Sequence, residues 1–166
     1  MRPTDDELID LLRDLVAIDS TNPGLVPGAP GEEALVAFLA RRRTAAGLEV
    51  DVWEPRPHRP NLVATLPGHG RAAQTPGAAG AVDGEALPSA VAPSLMLVSH
   101  LDVVGAAAEL FTPQVRDGRL YGRGSNDMKA GLAAAVVVAE RLAAEASAAG
   151  GRSPLRGDLL VAGCAD

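Results

Sequence analysis

Residues 94–104 read Ser94-Leu95-Met96-Leu97-Val98-Ser99-His100-Leu101-Asp102-Val103-Val104. Leu95 to Val98 is a continuous apolar run, the pattern of a strand covered on both faces rather than one with a wet side. His100 and Asp102 follow at its carboxyl end. They are two residues apart, so both point the same way if the extended conformation persists. In open α/β sheets, sites form outside the carboxyl ends of strands. This one stretch therefore predicts a buried central strand and a candidate site at its tip.

The segments on either side fit an α/β sheet. Thr4-Asp5-Asp6-Glu7 has the form of a capping box, and Leu8, Leu11, Leu12 and Leu15 follow at helical spacing. A first helix to about Ile18 is expected, stopped by Ser20-Thr21-Asn22-Pro23-Gly24, since Pro23 disfavours a helical Asn22. A second helix is expected from Glu32-Glu33, whose charges suit its N-terminal dipole, to about Gly47. Leu48 to Trp53 alternates apolar and acidic residues and reads as a strand with one wet face. Asn61 to Leu66 reads as a second strand. Residues 68–93 are mostly Gly, Ala, Pro and Ser, without periodicity, and read as a disordered insertion. Asp117-Gly118 marks a small hairpin. A long Ala/Val helix is expected from Met128 to Ala146, broken at Gly150-Gly151, followed by an apolar strand from Asp158 to Cys164. No internal repeat is evident, and the whole chain is treated as one unit, residues 1–166.

Composition narrows the function classes. Of 166 residues, 47% are hydrophobic but only 2% aromatic, so the core must consist of small aliphatic side chains. A formal net charge of −6 and the lack of a basic cluster exclude a nucleic-acid surface. Arg41-Arg42-Arg43, the one basic run, reads as a solvated helix face. The N-terminus has no apolar core of a signal peptide, and the longest apolar stretch, Gly131 to Ala139, falls far short of the ~20 residues needed to span a bilayer. The single cysteine, Cys164, precludes an internal disulfide and suits a reducing compartment. A cytoplasmic protein without membrane or nucleic-acid partners is expected. Cys164 itself reads as a strand residue, not a nucleophile, because no basic residue adjoins it. His58, in a Pro-rich turn, and His69, beside the insertion, are not expected to be ligands.

The chemistry concentrates at three residues. His100 offers an imidazole nitrogen to a transition metal. Asp102 can accept the proton on the other ring nitrogen and so fix the tautomer. Asp127 lies in Tyr121-Gly122-Arg123-Gly124-Ser125-Asn126-Asp127-Met128-Lys129, a Gly-rich loop entering a helix. A carboxylate there can bridge two metal ions ~3.5–4 Å apart, an arrangement that polarises a carbonyl and activates water. The rival reading of Asp127 as a simple N-cap leaves the flanking glycines unexplained. Nucleotide readings fail: the third glycine of a dinucleotide fingerprint and the Gly-Lys-Ser/Thr of a phosphate loop are both missing.

Taken together, His100-x-Asp102-Val103-Val104 and Gly122-Arg123-Gly124-x-x-Asp127-Met128-Lys129 resemble the di-zinc amidohydrolases and exopeptidases that include acetylornithine deacetylase, succinyl-diaminopimelate desuccinylase, aminoacylase-1, carnosinase-type dipeptidases and glutamate carboxypeptidase. The opening Ser-Thr-Asn-Pro and Gly-Glu-Glu also fit. Gly105 and Ala130 depart from the pattern, where Pro and Gly are common. The resemblance implies a three-layer catalytic domain with a mostly parallel central sheet, here without its lid or dimerisation domain, and a homodimer as one assembly of the intact parent. It implies His100 as a ligand of one zinc, Asp127 as the bridge between two, and Asp102 as the catalytic-site residue that orients His100. Cobalt or manganese would be substitutes for zinc. It further implies cleavage of amide or peptide bonds in N-acyl amino acids or small peptides through a metal-bridged water. The general-base Glu and the remaining ligands of that pattern would follow Asp166. Two expectations result: these residues are the N-terminal portion of such a hydrolase, or they are a catalytically inactive fragment or a degenerate non-enzymatic relative. If the sheet continues past Cys164, the last strand is expected to expose an apolar edge.

Overall fold

The structure, a computed structural model, describes residues 3–70 and 92–165. In chain order the elements are α1 (Pro3–Ala17), α2 (Glu33–Ala45), β1 (Glu49–Arg56), β2 (Arg59–Leu66), β3 (Leu95–His100), β4 (Gln114–Arg116), β5 (Arg119–Tyr121), α3 (Lys129–Ala148) and β6 (Leu159–Cys164). The segment expected to lack order, 68–93, falls for the most part outside the described residues. Its described start is tied to the loop before β6: Gly68 N–H donates to Asp158, and Gly70 N–H to the Arg156 carbonyl.

The α/β class stands, with a mixed sheet. Its order is β1-β2-β6-β3. β1 with β2 and β2 with β6 run antiparallel, and only β3 with β6 is parallel. The parallel character expected of the sheet is thus confined, among the described residues, to one pair. The hairpin loop between β1 and β2 is too short for a crossover, which forces that pair antiparallel.

One face of the sheet carries the core. Leu62, Ala64 and Leu66 of β2 and Leu159 and Val161 of β6 are buried against Leu35, Val36 and Leu39 of α2 and Leu132, Ala133, Val136 and Ala139 of α3. α1 adds Leu11 and Leu15 over α3. The opposite face is open among the described residues: Trp53, Met96 and Val98 are 46%, 51% and 58% exposed. Two of the three expected layers are therefore described here, helices on sheet.

Three local expectations change. Among the described residues β3 is an edge strand, not a central buried one, because its one ladder there is to β6. The last strand, β6, is internal, paired on both sides, so it does not supply the unpaired edge. α1 begins at Pro3, so Thr4, expected as the residue before the helix, lies within its bounds. Proline suits a first turn, where its missing N–H has no intrahelical acceptor anyway. The Asp117-Gly118 hairpin forms as expected: both residues have positive φ, 51° and 71°, joining β4 to β5. No described helix is long and apolar enough to cross a membrane.

Candidate metal centre

The tip of β3 is held by a second stretch of chain, residues 20–22. Past His100, Leu101 N–H still donates to the Cys164 carbonyl at 2.9 Å. The Ser20 hydroxyl then donates to the Leu101 carbonyl at 2.8 Å. Val103 N–H reaches Ser20 O, and Asn22 N–H reaches Val103 O, forming a short parallel bridge. The loop carrying Asp102 is thereby ordered from both sides, with Leu101, Asp102 and Val103 all buried.

Asp127 arrives by another route. The loop from Gly122 is pinned by Arg123 N–H to the Leu110 carbonyl and by Lys129 N–H to the Gly124 carbonyl. Both glycines are needed. A Cβ on Gly122 would sit 2.4 Å from a Val16 methyl, and Gly124 has φ +79° with a would-be Cβ 2.8 Å from Val103. Lys129, only 1% exposed, donates from Nζ to the carbonyls of Leu15 and Ile18 at 2.8 Å each. It thus closes the C-terminal end of α1, where a cation is favoured, although burial pulls its pKa down to about 8 against the opposing charge of Asp19.

The three residues singled out in the sequence come together. His100 Nδ1 lies 3.2 Å from Asp102 Oδ1 and 3.1 Å from the Asp102 carbonyl. His100 Nε2 lies 3.0 Å from Asp127 Oδ1. Asp127 does not cap α3: that position is Met128, which has no side-chain cap, and the Asp127 side chain is 85% exposed. The Asp127–Met128 peptide bond is cis. Burial depresses the His100 pKa most strongly, but the hydrogen bonds to Asp127 and the Asp102 carbonyl, with both carboxylate charges, outweigh it and leave the value raised. A cavity of about 230 Å³ opens over His100, Asp102, Gly124 and Asp127. A second cavity, of about 450 Å³, adjoins it on the Cys164 side and is lined by Leu25, Val98 and Val104.

This donor set fits a transition metal. Every hydrogen-bond partner of the ring is an acceptor, the two at Nδ1 and Asp127 at Nε2, so a metal held at Nε2 would take the place of the Nε2 proton while Nδ1 keeps its own. An imidazole nitrogen and a carboxylate oxygen then converge on one open volume. They are part of a coordination set, since catalytic zinc ordinarily takes three protein ligands. Among the described residues no group of three donors centres on His100 and Asp127. One such group lies elsewhere: Glu33, Glu54 and His58 offer atoms within 4.8 Å of one another, all exposed, with His58 Nδ1 2.9 Å from Glu33.

The sequence did not reveal every participant. Asn22 read as a helix stop, yet its Nδ2 donates to Asp102 Oδ2 at 2.9 Å. Glu32 read as a dipole partner of α2, yet it is fully buried and forked by Arg59 at 2.7 and 2.9 Å. The Arg run is not a solvated face: Arg43 is fully buried and Arg42 pairs with Glu140.

A mixed α/β domain with His-x-Asp at a strand tip facing an aspartate in a glycine loop is the arrangement that the resemblance to the di-zinc hydrolases leads one to expect. Comparison with known proteins narrows it. Residues 96–151 match the model of peptidase family M20/M25/M40. The succinyl-diaminopimelate desuccinylase of Xanthomonas oryzae pv. oryzae is 35% identical over 152 residues, covering 83% of this chain and 30% of that protein. The enzyme of the same name from Stenotrophomonas maltophilia is 51% identical over 59 residues, covering 32% of this chain and 16% of its own length. Among solved structures, human carnosine dipeptidase 1 superposes over 96% of this chain and 31% of its own, with a TM-score of 0.65 and 20% identity. A dinuclear metal-binding M20 peptidase from Bacillus subtilis covers 96% of this chain and 34% of its own, with a TM-score of 0.51 and 13% identity. The chain belongs to the M20 metallopeptidase family. It spans less than a third of the length of these curated relatives.

Proposed function

We propose that this chain carries the first part of the metal site of a zinc-dependent amide hydrolase acting on N-acyl amino acids or small peptides. The observation that supports it is the convergence of His100 Nε2 and Asp127 Oδ1 at 3.0 Å, with Asp102 behind the imidazole. In this reading Asp102 accepts the hydrogen bond from Nδ1–H and fixes the ring, and His100 Nε2 and the Asp127 carboxylate are the groups that would hold the metal. A divalent metal bound there polarises an amide carbonyl and lowers the pKa of water. The buried loop at 101–103, and the loop from Gly122 pinned by its backbone hydrogen bonds to Leu110 and Lys129, carry these donors. The amide class rests on family membership and on the desuccinylase names of the relatives. The single partly exposed cysteine, Cys164, fits a cytoplasmic setting.

A second reading has its own observation. His100 and Asp127 are two donors where catalytic zinc takes three, so the 166 residues alone bind metal weakly and do not turn over. One experiment addresses both: titrate the chain with Zn²⁺ or Co²⁺, count bound ions, and assay N-succinyl and N-acetyl amino acids. Metal binding that disappears in His100→Ala and Asp127→Ala supports the site. Unchanged binding in both variants would rule it out. Hydrolysis by the wild-type chain would remove the inactive reading.

A further inference from the structure

We infer that Asn22 is a positioning residue of the metal centre, holding Asp102 so that one carboxylate oxygen is left for His100; this rests on the metal-site reading above. Asn22 is 5% exposed and both ends of its amide are occupied. Oδ1 accepts from Gly24 N–H at 2.8 Å, and Nδ2 donates to Asp102 Oδ2 at 2.9 Å. A backbone N–H can only donate, so Gly24 dictates which end of the amide is oxygen and aims the NH₂ at Asp102. The main chain anchors the side chain: Asn22 N–H donates to Val103 O at 2.9 Å, part of the single parallel bridge between Thr21 and Val103 beside Asp102.

The effect on Asp102 follows from its surroundings. The Asp102 side chain is 10% exposed, and its only side-chain neighbours in hydrogen-bond range among the described residues are Asn22 and His100. With Oδ2 engaged, Oδ1 stands 3.2 Å from His100 Nδ1. The ring proton also has the Asp102 carbonyl at 3.1 Å as an alternative acceptor. Freed from Asn22, the carboxylate can rotate away and leave the imidazole to the neutral carbonyl, which raises ligand basicity less than a carboxylate does.

An ordinary Asx turn explains only half of this arrangement. Such a turn uses Oδ1 to accept from the backbone two residues on, and leaves Nδ2 free. Here Nδ2 reaches a residue 80 positions away. Asn22→Asp separates the two roles: a carboxylate still accepts from Gly24 but cannot donate to Asp102, and sets two acids against each other.

The test is Co²⁺ affinity of the 166-residue chain, read from its visible absorption or by competition with a chromophoric chelator. Asn22→Asp and the uncharged Asn22→Ser are expected to weaken Co²⁺ binding roughly 10–100-fold, the usual range for groups that orient a ligand. Combined with Asp102→Ala, either should add little, because both act through one carboxylate. Circular dichroism checks that each variant is folded; if Asn22→Asp does not fold, Asn22→Ser carries the test. If His100→Ala and Asp102→Ala weaken binding but both Asn22 variants bind as wild type, the inference is wrong and the metal site stands. An Asn22 effect that persists undiminished in Asp102→Ala also overturns it. If His100→Ala binds Co²⁺ unchanged, the metal-site reading fails and this inference with it.

Discussion

Arg42 of α2 forks onto Glu140 of α3, with Nε to Oε1 and Nη2 to Oε2 both at 2.8 Å. The Glu140 side chain is 10% exposed and that of Arg42 31%. The hydrogen bond to Glu140 is the main reason the Arg42 pKa is raised, against the opposing effect of burial. Removing Arg42 would leave a nearly buried carboxylate unpaired, which is costlier than losing a surface pair. Arg42→Ala is expected to destabilise the fold by about 1–2 kcal/mol. Arg42→Lys should recover little of it, since an ammonium cannot make the two-pronged contact. Urea melts at pH 7 check this; an Arg42→Ala midpoint equal to wild type would count against it.

The next residue predicts the opposite sign. Arg43 is fully buried, and its Nε, Nη1 and Nη2 have no hydrogen-bond partner among the described residues. Burial pushes its pKa down to about 10, with Glu140 opposing and Arg42 adding to the fall. A buried cation without hydrogen bonds costs stability, and an apolar side chain of similar length removes that cost. Arg43→Met is expected to raise stability by about 1–3 kcal/mol, seen as a higher melting temperature. A lower melting temperature would show that Arg43 holds a partner in solution.

This pair also marks where sequence reasoning stops. Three consecutive helical residues spread over about 200° of the helix surface, so Arg41, Arg42 and Arg43 could not all face water. Which one turns inward depends on where α3 lies, and that is not local information. The β3 run failed for the same reason: Leu95 to Val98 carries the composition of a doubly covered strand, but coverage belongs to the neighbours. Elements set by local periodicity or turn chemistry, such as α3 and the Asp117-Gly118 hairpin, were legible. So was the placement of His100, Asp102 and Asp127 at a strand end and in a glycine loop, both local signatures, which the structure brings within hydrogen-bond distance. Asn22 was not, since its partner Asp102 is met only in the folded chain.

His58 gives a pH prediction. Its Nδ1 lies 2.9 Å from Glu33 Oε1, and that hydrogen bond, with the Glu33 charge, holds its pKa above the ordinary 6.5. A raised folded value means the folded state binds the proton more tightly. The pair therefore contributes stability that is fully present below 6.5 and lost as pH rises through the raised value. Proton NMR of the His58 ring should give a midpoint above 6.5, returning toward 6.5 in Glu33→Gln. An unchanged midpoint in that variant would remove the cause assigned here.

The open sheet face predicts behaviour in solution. Met96 and Val98 project from β3, which among the described residues is an edge strand with one free ladder, and are 51% and 58% exposed. Trp53, 46% exposed, is also uncovered at the far side of the sheet. An apolar edge strand is a template for pairing with another chain, and native sheets blunt such edges with lysine. The 166-residue chain is therefore expected to self-associate and to bind a hydrophobic dye. Met96→Lys with Val98→Lys should reduce both, with little change in melting temperature, because neither side chain is in the core. Light scattering coupled to size exclusion measures the first effect and dye fluorescence the second. A wild-type chain that elutes as a single monomer and leaves the dye dark would contradict the prediction, since the exposed face would then have no measurable consequence.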